Sequence, residues 1–148
     1  MRARVLLLTA ALPFGLLVTG CGSGGSATST DNAAATSTTV DTGVDLSKAT
    51  FVDDTDQKKV EVDAVDNNFR DQYITIKAGT TVVFTNAGRN QHNVLPVVPG
   101  AFKQAETDDF EPGTSYSVTF DEVGDDPYYC SLHGTTTKGM TGAIRVVK

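Results

Sequence analysis

Lys59-Val60-Glu61-Val62-Asp63-Ala64-Val65 is a stretch in which polar and apolar side chains alternate. Successive side chains of a β-strand point to opposite faces of its sheet, so this period of two predicts a strand with one buried and one solvated face. Such a strand is stable only with partner strands and a second layer that covers its apolar face. The rest of the sequence must therefore supply further strands.

Short stretches rich in β-branched and aromatic residues recur along the chain between turn residues. The further predicted strands are Tyr73–Ile76, Thr81–Thr85, Thr114–Phe120, Tyr128–Cys130 and Ala143–Val147. Asp125-Asp126-Pro127 is expected to form the turn before Tyr128, and residues 96–111 to form a long loop or a single helical turn. No long amphipathic helix is predicted. About seven to eight short strands in about 100 residues favour an all-β fold, a Greek-key β-sandwich.

The first twenty residues have the pattern of an export signal. Arg2 and Arg4 give a positive start, and the uncharged segment Val5–Val18 is shorter than the roughly 20 residues that span a bilayer. The sequence Val18-Thr19-Gly20-Cys21 resembles the lipobox of bacterial lipoproteins, in which the chain is cut before the cysteine and a lipid is attached to its sulfur. We therefore expect a lipoprotein signal peptide over residues 1–20 and lipid (palmitate) on Cys21. A secretory signal that is cleaved elsewhere is the alternative.

Residues 21–47 are rich in Gly, Ser, Thr and Ala and contain few large apolar side chains. This composition cannot bury enough apolar surface to form a core, so it predicts a flexible tether. The chain thus divides into a signal peptide (1–20), the lipidated cysteine with its tether (21–47) and a folded domain (48–148). The expected location is the extracytoplasmic face of a bacterial membrane, in a periplasm or at the cell surface.

The chain is acidic. Twelve Lys and Arg residues oppose eighteen Asp and Glu residues, which gives a formal net charge of -6. A nucleic-acid-binding protein needs a basic surface that neutralises phosphates, so this class is excluded. The acidic runs suit either a basic protein partner or a solvated face, and the sequence leaves both open.

Four candidate metal ligands belong to scarce residue types, since the whole chain has two His, two Cys and two Met. Without the initiator Met and the predicted lipid cysteine, these types leave His92, Cys130, His133 and Met140. Two imidazoles, one thiolate and one thioether suit a mononuclear blue-copper site, in which nitrogen and thiolate donors form a plane and a weak axial thioether tunes the potential. Counting excludes sites that need more histidines. A zinc site built from two His and one Cys stays open.

The sequence around these residues resembles the cupredoxins, the plastocyanin/azurin-like type 1 blue copper proteins. The segments that carry the resemblance are Asn86-Ala87-Gly88, His92-Asn93-Val94, Pro112-Gly113-Thr114-Ser115-Tyr116, Tyr129-Cys130-Ser131-Leu132-His133 and Gly139-Met140-Thr141-Gly142. The resemblance spans roughly residues 60–148. It implies one type 1 copper ion with His92, Cys130, His133 and Met140 as ligands.

The resemblance also implies roles for residues beside the ligands. Asn93 is expected to tie the first-ligand loop to the Cys130 loop through Ser131, and Tyr129 to pack beneath the site. In one respect the sequence departs from the family pattern. Six residues separate His133 from Met140, where plastocyanin-like relatives usually have four, so the axial role of Met140 depends on this longer loop.

The expected function is electron transfer by a lipid-anchored carrier that cycles one copper between Cu(I) and Cu(II). Its partners would be redox proteins at the same membrane, and His133 would be the electron exit. We expect no enzyme activity, because four protein ligands leave no open coordination position. We also expect a monomer. A copper-holding or copper-delivery protein that uses the same ligands is the alternative.

Overall fold

The computed structural model describes residues 42–148. The predicted signal peptide, the lipid site Cys21 and most of the predicted tether lie outside these residues and stay predictions. Within residues 42–148, no helix has the length and apolar character that crossing a bilayer requires.

The described residues form nine strands in two sheets. The strands are β1 (Val52–Asp53), β2 (Lys59–Val65), β3 (Asn68–Arg70), β4 (Tyr73–Lys77), β5 (Thr80–Asn86), β6 (Leu95–Pro96), β7 (Ser115–Phe120), β8 (Gly124–Gly134) and β9 (Gly139–Val147). One sheet has the order β1-β4-β9-β8-β6, and the other has the order β3-β2-β5-β7. A single 3-10 turn covers Thr107–Asp109.

The predicted all-β sandwich is confirmed. The alternating segment that predicted β2 has the expected pattern of burial, with Val60, Val62 and Ala64 buried. The irregular stretch 96–111 contains the predicted single helical turn, and it also includes the last residue of β6 and an isolated bridge between Ala105 and Val94. Three strands were not predicted, namely β1, β3 and β6, because two or three residues are too few to show a period of two.

The start of β8 corrects the sequence prediction. The strand begins at Gly124, so the prediction that Asp125-Asp126-Pro127 forms a preceding turn is wrong. Pro127 lies opposite Ala143, whose N–H points away from β8 and donates to the Gln72 carbonyl at 2.8 Å. Facing residues of an antiparallel pair exchange both hydrogen bonds or neither, so the strand loses no bond at the proline.

The core lies between the two sheets. Large side chains from both inner faces form one buried cluster, which includes Val62, Phe69, Ile74, Ile76, Val82, Phe84, Val118, Tyr128, Ile144 and Val146. Cys130 and Met140 belong to the same cluster and have no exposed surface. Two of the candidate ligands are therefore part of the core.

Candidate metal centre

The structure brings three of the candidate ligands together. The Sγ atom of Cys130 lies 3.7 Å from Nδ1 of His92 and 3.6 Å from Nδ1 of His133. The two imidazole rings have centroids 4.8 Å apart and are inclined by 58°. Within the described part of the chain, this is the one group of three or more His, Cys, Asp or Glu side chains whose ligand atoms could share a metal ion.

His92 lies in an irregular segment between β5 and β6, and not at the start of a strand. Its segment is held by the buried side chain of Asn86, whose amide donates to the carbonyls of Asn90 and Phe110, at 3.0 Å each. The Oδ1 atom of Asn86 accepts from Gly88 N–H at 3.3 Å. Sequence reasoning did not assign Asn86 to the site, although a polar residue at the end of the apolar strand β5 was a signal for it.

Asn93 joins the segment of His92 to the segment of Cys130. Its Nδ2 donates to the Ser131 hydroxyl and its Oδ1 accepts from the Ser131 N–H, both at 2.8 Å. The Asn93 side chain is almost fully buried, and it also reaches the Thr107 hydroxyl at 3.5 Å. Two ligand-bearing segments that are far apart in sequence are therefore fixed to each other by a two-bond clamp.

Met140 lies opposite the segment of Cys130 and His133 because the pairing of β8 with β9 is irregular there. Tyr129 pairs with Thr141, and the next paired residues are Gly134 and Gly139. Between these pairs, the four residues from Cys130 to His133 lie opposite Met140 alone. The bulge thus places the thiolate, the second imidazole and the thioether on neighbouring strands at one point of the sheet.

The two imidazoles differ in environment. His92 is fully buried, and burial, with a further contribution from His133, lowers its pKa. The lowered pKa favours the neutral ring, which is the form that binds a metal. His133 is only partly buried. Within residues 42–148, Nε2 of His92 is the one buried side-chain nitrogen or oxygen without a hydrogen-bond partner.

These positions fit a metal ion bound through both Nδ1 atoms. Metal–nitrogen and metal–sulfur bonds of about 2.0 and 2.3 Å separate the two donor atoms by about 3.5 Å at a tetrahedral angle and about 3.7 Å at a trigonal one. The two observed separations lie at 3.6 and 3.7 Å. A neutral His92 that binds through Nδ1 carries its proton on Nε2, the atom that faces away from the cysteine.

Comparison with known proteins decides the family. Residues 56–147 match the family model described as copper binding proteins, plastocyanin/azurin family. The chain belongs to this family. It is 38% identical to a plastocyanin of Scenedesmus fuscus over 85 residues, which are 53% of this chain and 85% of that protein. It is 40% identical over 82 residues to a chloroplastic plastocyanin of Fritillaria agrestis, a match that covers 49% of this chain and 48% of the relative.

Solved cupredoxin structures have a similar fold. A mutant of amicyanin in the reduced state is 26% identical, with a TM-score of 0.52 over 62% of this chain and 84% of that one. A purple cupredoxin from Nitrosopumilus maritimus, 20% identical, has a TM-score of 0.50 over 60% of this chain and 99% of that one, and it shows the fold alone. The metal of this cupredoxin is copper, because the family binds copper and a buried thioether beside the three other donors is a soft ligand.

Tyr128 and Tyr129 of this cupredoxin occupy different environments. Tyr128 is fully buried, contacts the rings of Phe69 and Phe84 edge-on, and donates its hydroxyl hydrogen to the Gln72 carbonyl at 3.2 Å. Tyr129 is partly exposed and pairs with Leu95 and Thr141 across the sheet. The buried tyrosine ring is thus Tyr128, two residues before Cys130 in β8, and a role for Tyr129 beneath the metal stays a prediction.

Proposed function

We propose that this cupredoxin is a membrane-anchored, extracytoplasmic electron carrier, and not an enzyme, that holds one type 1 copper ion. The observation that carries the proposal is the arrangement of Cys130 Sγ between the Nδ1 atoms of His92 and His133, at 3.7 and 3.6 Å. Bound copper would supply a one-electron couple between Cu(I) and Cu(II). A mixed sulfur and nitrogen donor set suits both oxidation states in a single geometry.

The protein contributes a fixed set of donors. Cys130, Met140 and His92 are buried in a packed core, and the Asn93 clamp holds the Cys130 segment to the His92 segment. Side chains that are held by packing and hydrogen bonds move little when the charge at the site changes. A rigid site of this kind favours fast electron transfer.

His133 is the ligand through which electrons would enter and leave. It is the one imidazole of the pair that is partly exposed. The side chain of the neighbouring Leu132 is 50% exposed and gives an apolar surface beside it. An apolar surface next to a ligand allows a partner to approach closely and to exclude water from the contact.

Burial of the donors favours a carrier over a copper-delivery protein. A delivery protein must release its metal readily to another site, whereas three of the four donors here have no exposed surface. Copper would leave only if the segments around the site opened. We therefore expect slow loss of copper to a Cu(I) chelator.

The electron-transfer proposal is tested on residues 42–148 and on the full chain loaded with Cu(II). We expect intense visible absorption and narrow copper hyperfine splitting in the electron paramagnetic resonance spectrum. Electron exchange should be slower in His133→Ala than in Thr136→Ala, a change in the exposed turn between β8 and β9 that leaves all four donors in place. Rapid and complete transfer of copper to a Cu(I) chelator would favour delivery, and turnover of nitrite, nitric oxide or peroxide by the reduced protein would favour an enzyme.

The anchoring proposal rests on the sequence of the first 47 residues and has its own test. In bacteria that express the full chain, the protein should be found in the membrane fraction and should incorporate labelled palmitate. Cys21→Ala should lose the label, while Ser23→Ala should keep it. Equal labelling of the two variants would contradict lipid attachment at Cys21 and would leave the copper site unaffected.

A further inference from the structure

We propose that the glycine pair Gly134 and Gly139 is a positioning device that sets the contact of Met140 with copper, independently of the side chains in the turn beyond it. These two residues form the neck of a hairpin whose tip is Thr135–Lys138. The proposal rests on the copper site described above, with Met140 as its axial donor. It explains how a loop of six residues between His133 and Met140 is compatible with that role.

The neck lies directly between the two ligands. Gly134 follows His133 in β8, Gly139 precedes Met140 in β9, and the two glycines pair with each other. This pair ends the bulge in which Cys130 to His133 face Met140 alone. Any change in the separation of the two glycine backbones is therefore transmitted to the adjacent residues, which are both ligands.

The two backbones approach so closely at the neck that no side chain fits. A Cβ on Gly134 would lie 2.7 Å from the backbone nitrogen of Met140 and 2.8 Å from the carbonyl oxygen of Lys138. A Cβ on Gly139 would lie 2.6 Å from the carbonyl oxygen of His133, and Gly139 has a φ of +83°, which L side chains rarely adopt. Most of the obstructing atoms belong to the backbones of the ligands His133 and Met140, so a Cβ could be accommodated only by moving the backbone of a ligand or of its neighbour.

The tip closes by its own hydrogen bonds. Thr135 N–H donates to the Lys138 carbonyl at 2.8 Å, and Thr137 N–H reaches the Thr135 hydroxyl at 3.4 Å. All four tip residues are exposed, whereas Met140 is fully buried. The additional length is thus taken up in a self-contained turn outside the neck, and the chain returns to the sheet at the position that Met140 requires.

A Cβ at the neck should weaken the axial bond. Gly134→Ala would push the start of β9 away from His133 and would draw the Met140 thioether away from the metal. A weaker axial donor stabilises Cu(II) less, so the reduction potential should shift to more positive values. The blue absorption should persist, because Cys130, His92 and His133 remain in place.

The experiment compares the neck with the tip in the copper-loaded protein. We expect Gly134→Ala to change the visible and electron paramagnetic resonance spectra and to raise the potential, and the double variant Thr136→Ala/Thr137→Ala to match the wild type in both. If Gly134→Ala does not fold, Thr135→Pro provides the second variant, since it removes the donor of the turn bond without adding an atom to either glycine. The same shift, smaller in size, is expected for it.

Met140→Leu fixes the scale of these changes. It removes the thioether, so its shift in potential is the largest that movement of Met140 can cause. The proposal is overturned if folded neck variants keep the wild-type spectra and potential, if the tip variant shifts them equally, or if Met140→Leu has no effect. Failure of the copper site itself is a separate result, since the wild-type protein would then lack the blue absorption.

Discussion

The two halves of the β8–β9 pair differ in their regularity. From Gly124 to Tyr129, each residue of β8 faces one residue of β9, from Val146 back to Thr141. Beyond Tyr129, four residues of β8 face Met140 alone until Gly134 meets Gly139. The regular half lies within the sandwich, and the irregular half carries three of the four donors.

The difference shows how one pair of strands can both stabilise the fold and hold a metal. Regular pairing gives the backbone N–H and C=O groups hydrogen-bond partners and lets side chains pack on both faces of the sheet. A bulge interrupts the ladder and redirects side chains, which is why bulges are common next to functional sites. Substitutions in the regular half should therefore change stability and leave the copper spectrum intact, whereas substitutions in the irregular half should change the spectrum.

The largest effect is expected from Cys130→Ser in the irregular half. Serine has nearly the same shape, so the fold should remain, but the thiolate that gives the intense visible absorption is lost. We expect that absorption to disappear completely in the copper-loaded protein, with the circular dichroism of the β-sandwich unchanged. Leu132→Ala, at an exposed neighbour, should keep the absorption. A Cys130→Ser protein that stayed intensely blue would remove Cys130 from the site.

In the regular half, Gly142→Ala should reduce stability without changing the spectrum. A Cβ on Gly142 would overlap the buried ring of Tyr128 and lie 2.5 Å from the Gln72 carbonyl oxygen. Overpacking of this kind should lower the free energy of unfolding by about 3 kcal/mol. The measurement is urea unfolding of the copper-free protein, followed by the visible spectrum of the loaded protein.

Gly124→Ala is the matched control for Gly142→Ala, because it lies in the same strand pair and a Cβ there would meet nothing within 4 Å. Its free energy of unfolding should be unchanged or raised by up to about 1 kcal/mol. If the two variants had equal stability, the close packing of Tyr128 against Gly142 would not contribute to the fold. If Gly142→Ala changed the copper spectrum, the regular half would also influence the metal site, and the proposed division of roles between the two halves would be wrong.

Asn93→Ala tests whether the irregular half depends on its clamp. The change leaves Ser131 N–H and hydroxyl without their shared partner, which should cost about 2 kcal/mol of unfolding free energy. The copper spectrum should broaden because the Cys130 segment is no longer fixed to the His92 segment. Asn90→Ala removes only long, exposed hydrogen bonds and should change stability by less than about 0.5 kcal/mol. Identical spectra for the two variants would contradict a positioning role for Asn93.

Many of the regular strands of the sandwich could be predicted from the sequence. The alternation that marks β2 and the β-branched residues of β4, β5 and β9 are local signals, because each side chain there faces either core or solvent. The donors were also predictable as a set, since His, Cys and Met are scarce in this chain. Their meeting point could be inferred only through the family resemblance.

The irregular half could not be predicted in the same way. The bulge and the glycine neck depend on how two strands pair, which is a property of neither strand alone. In the regular half, the start of β8 was missed because Asp125, Asp126 and Pro127 are typical turn residues, and only the neighbouring strands show where the backbone hydrogen bonds of this segment go. Asn86 was missed because its side chain acts by donating hydrogen bonds to the carbonyls of Asn90 and Phe110, and Phe110 is distant in sequence.

The smallest expected effect concerns Asp126, at the far end of the regular half. It lies opposite Ile144 on the face of β8 that also carries Tyr128, and burial, with the neighbouring Asp125, raises its pKa to about 6. The pKa of Asp in an unfolded chain is about 3.9, so the native state holds this proton more tightly than the unfolded state does. The stability contributed by the protonated form is therefore complete below about pH 4 and is lost as the pH rises through about 6.

Asp126→Asn removes this pH dependence by keeping the side chain neutral. Relative to the wild type, the variant should gain unfolding free energy between pH 4 and pH 7, by less than about 1 kcal/mol because the carboxyl group retains contact with water. Urea unfolding of the copper-free proteins at pH 4, 5.5 and 7 measures the difference, with the exposed Asp121→Asn as control. If Asp126→Asn and the wild type differed in unfolding free energy by the same amount at all three pH values, ionisation of Asp126 would not destabilise the folded state. The start of β8 would then behave as solvent-exposed and not as part of the core.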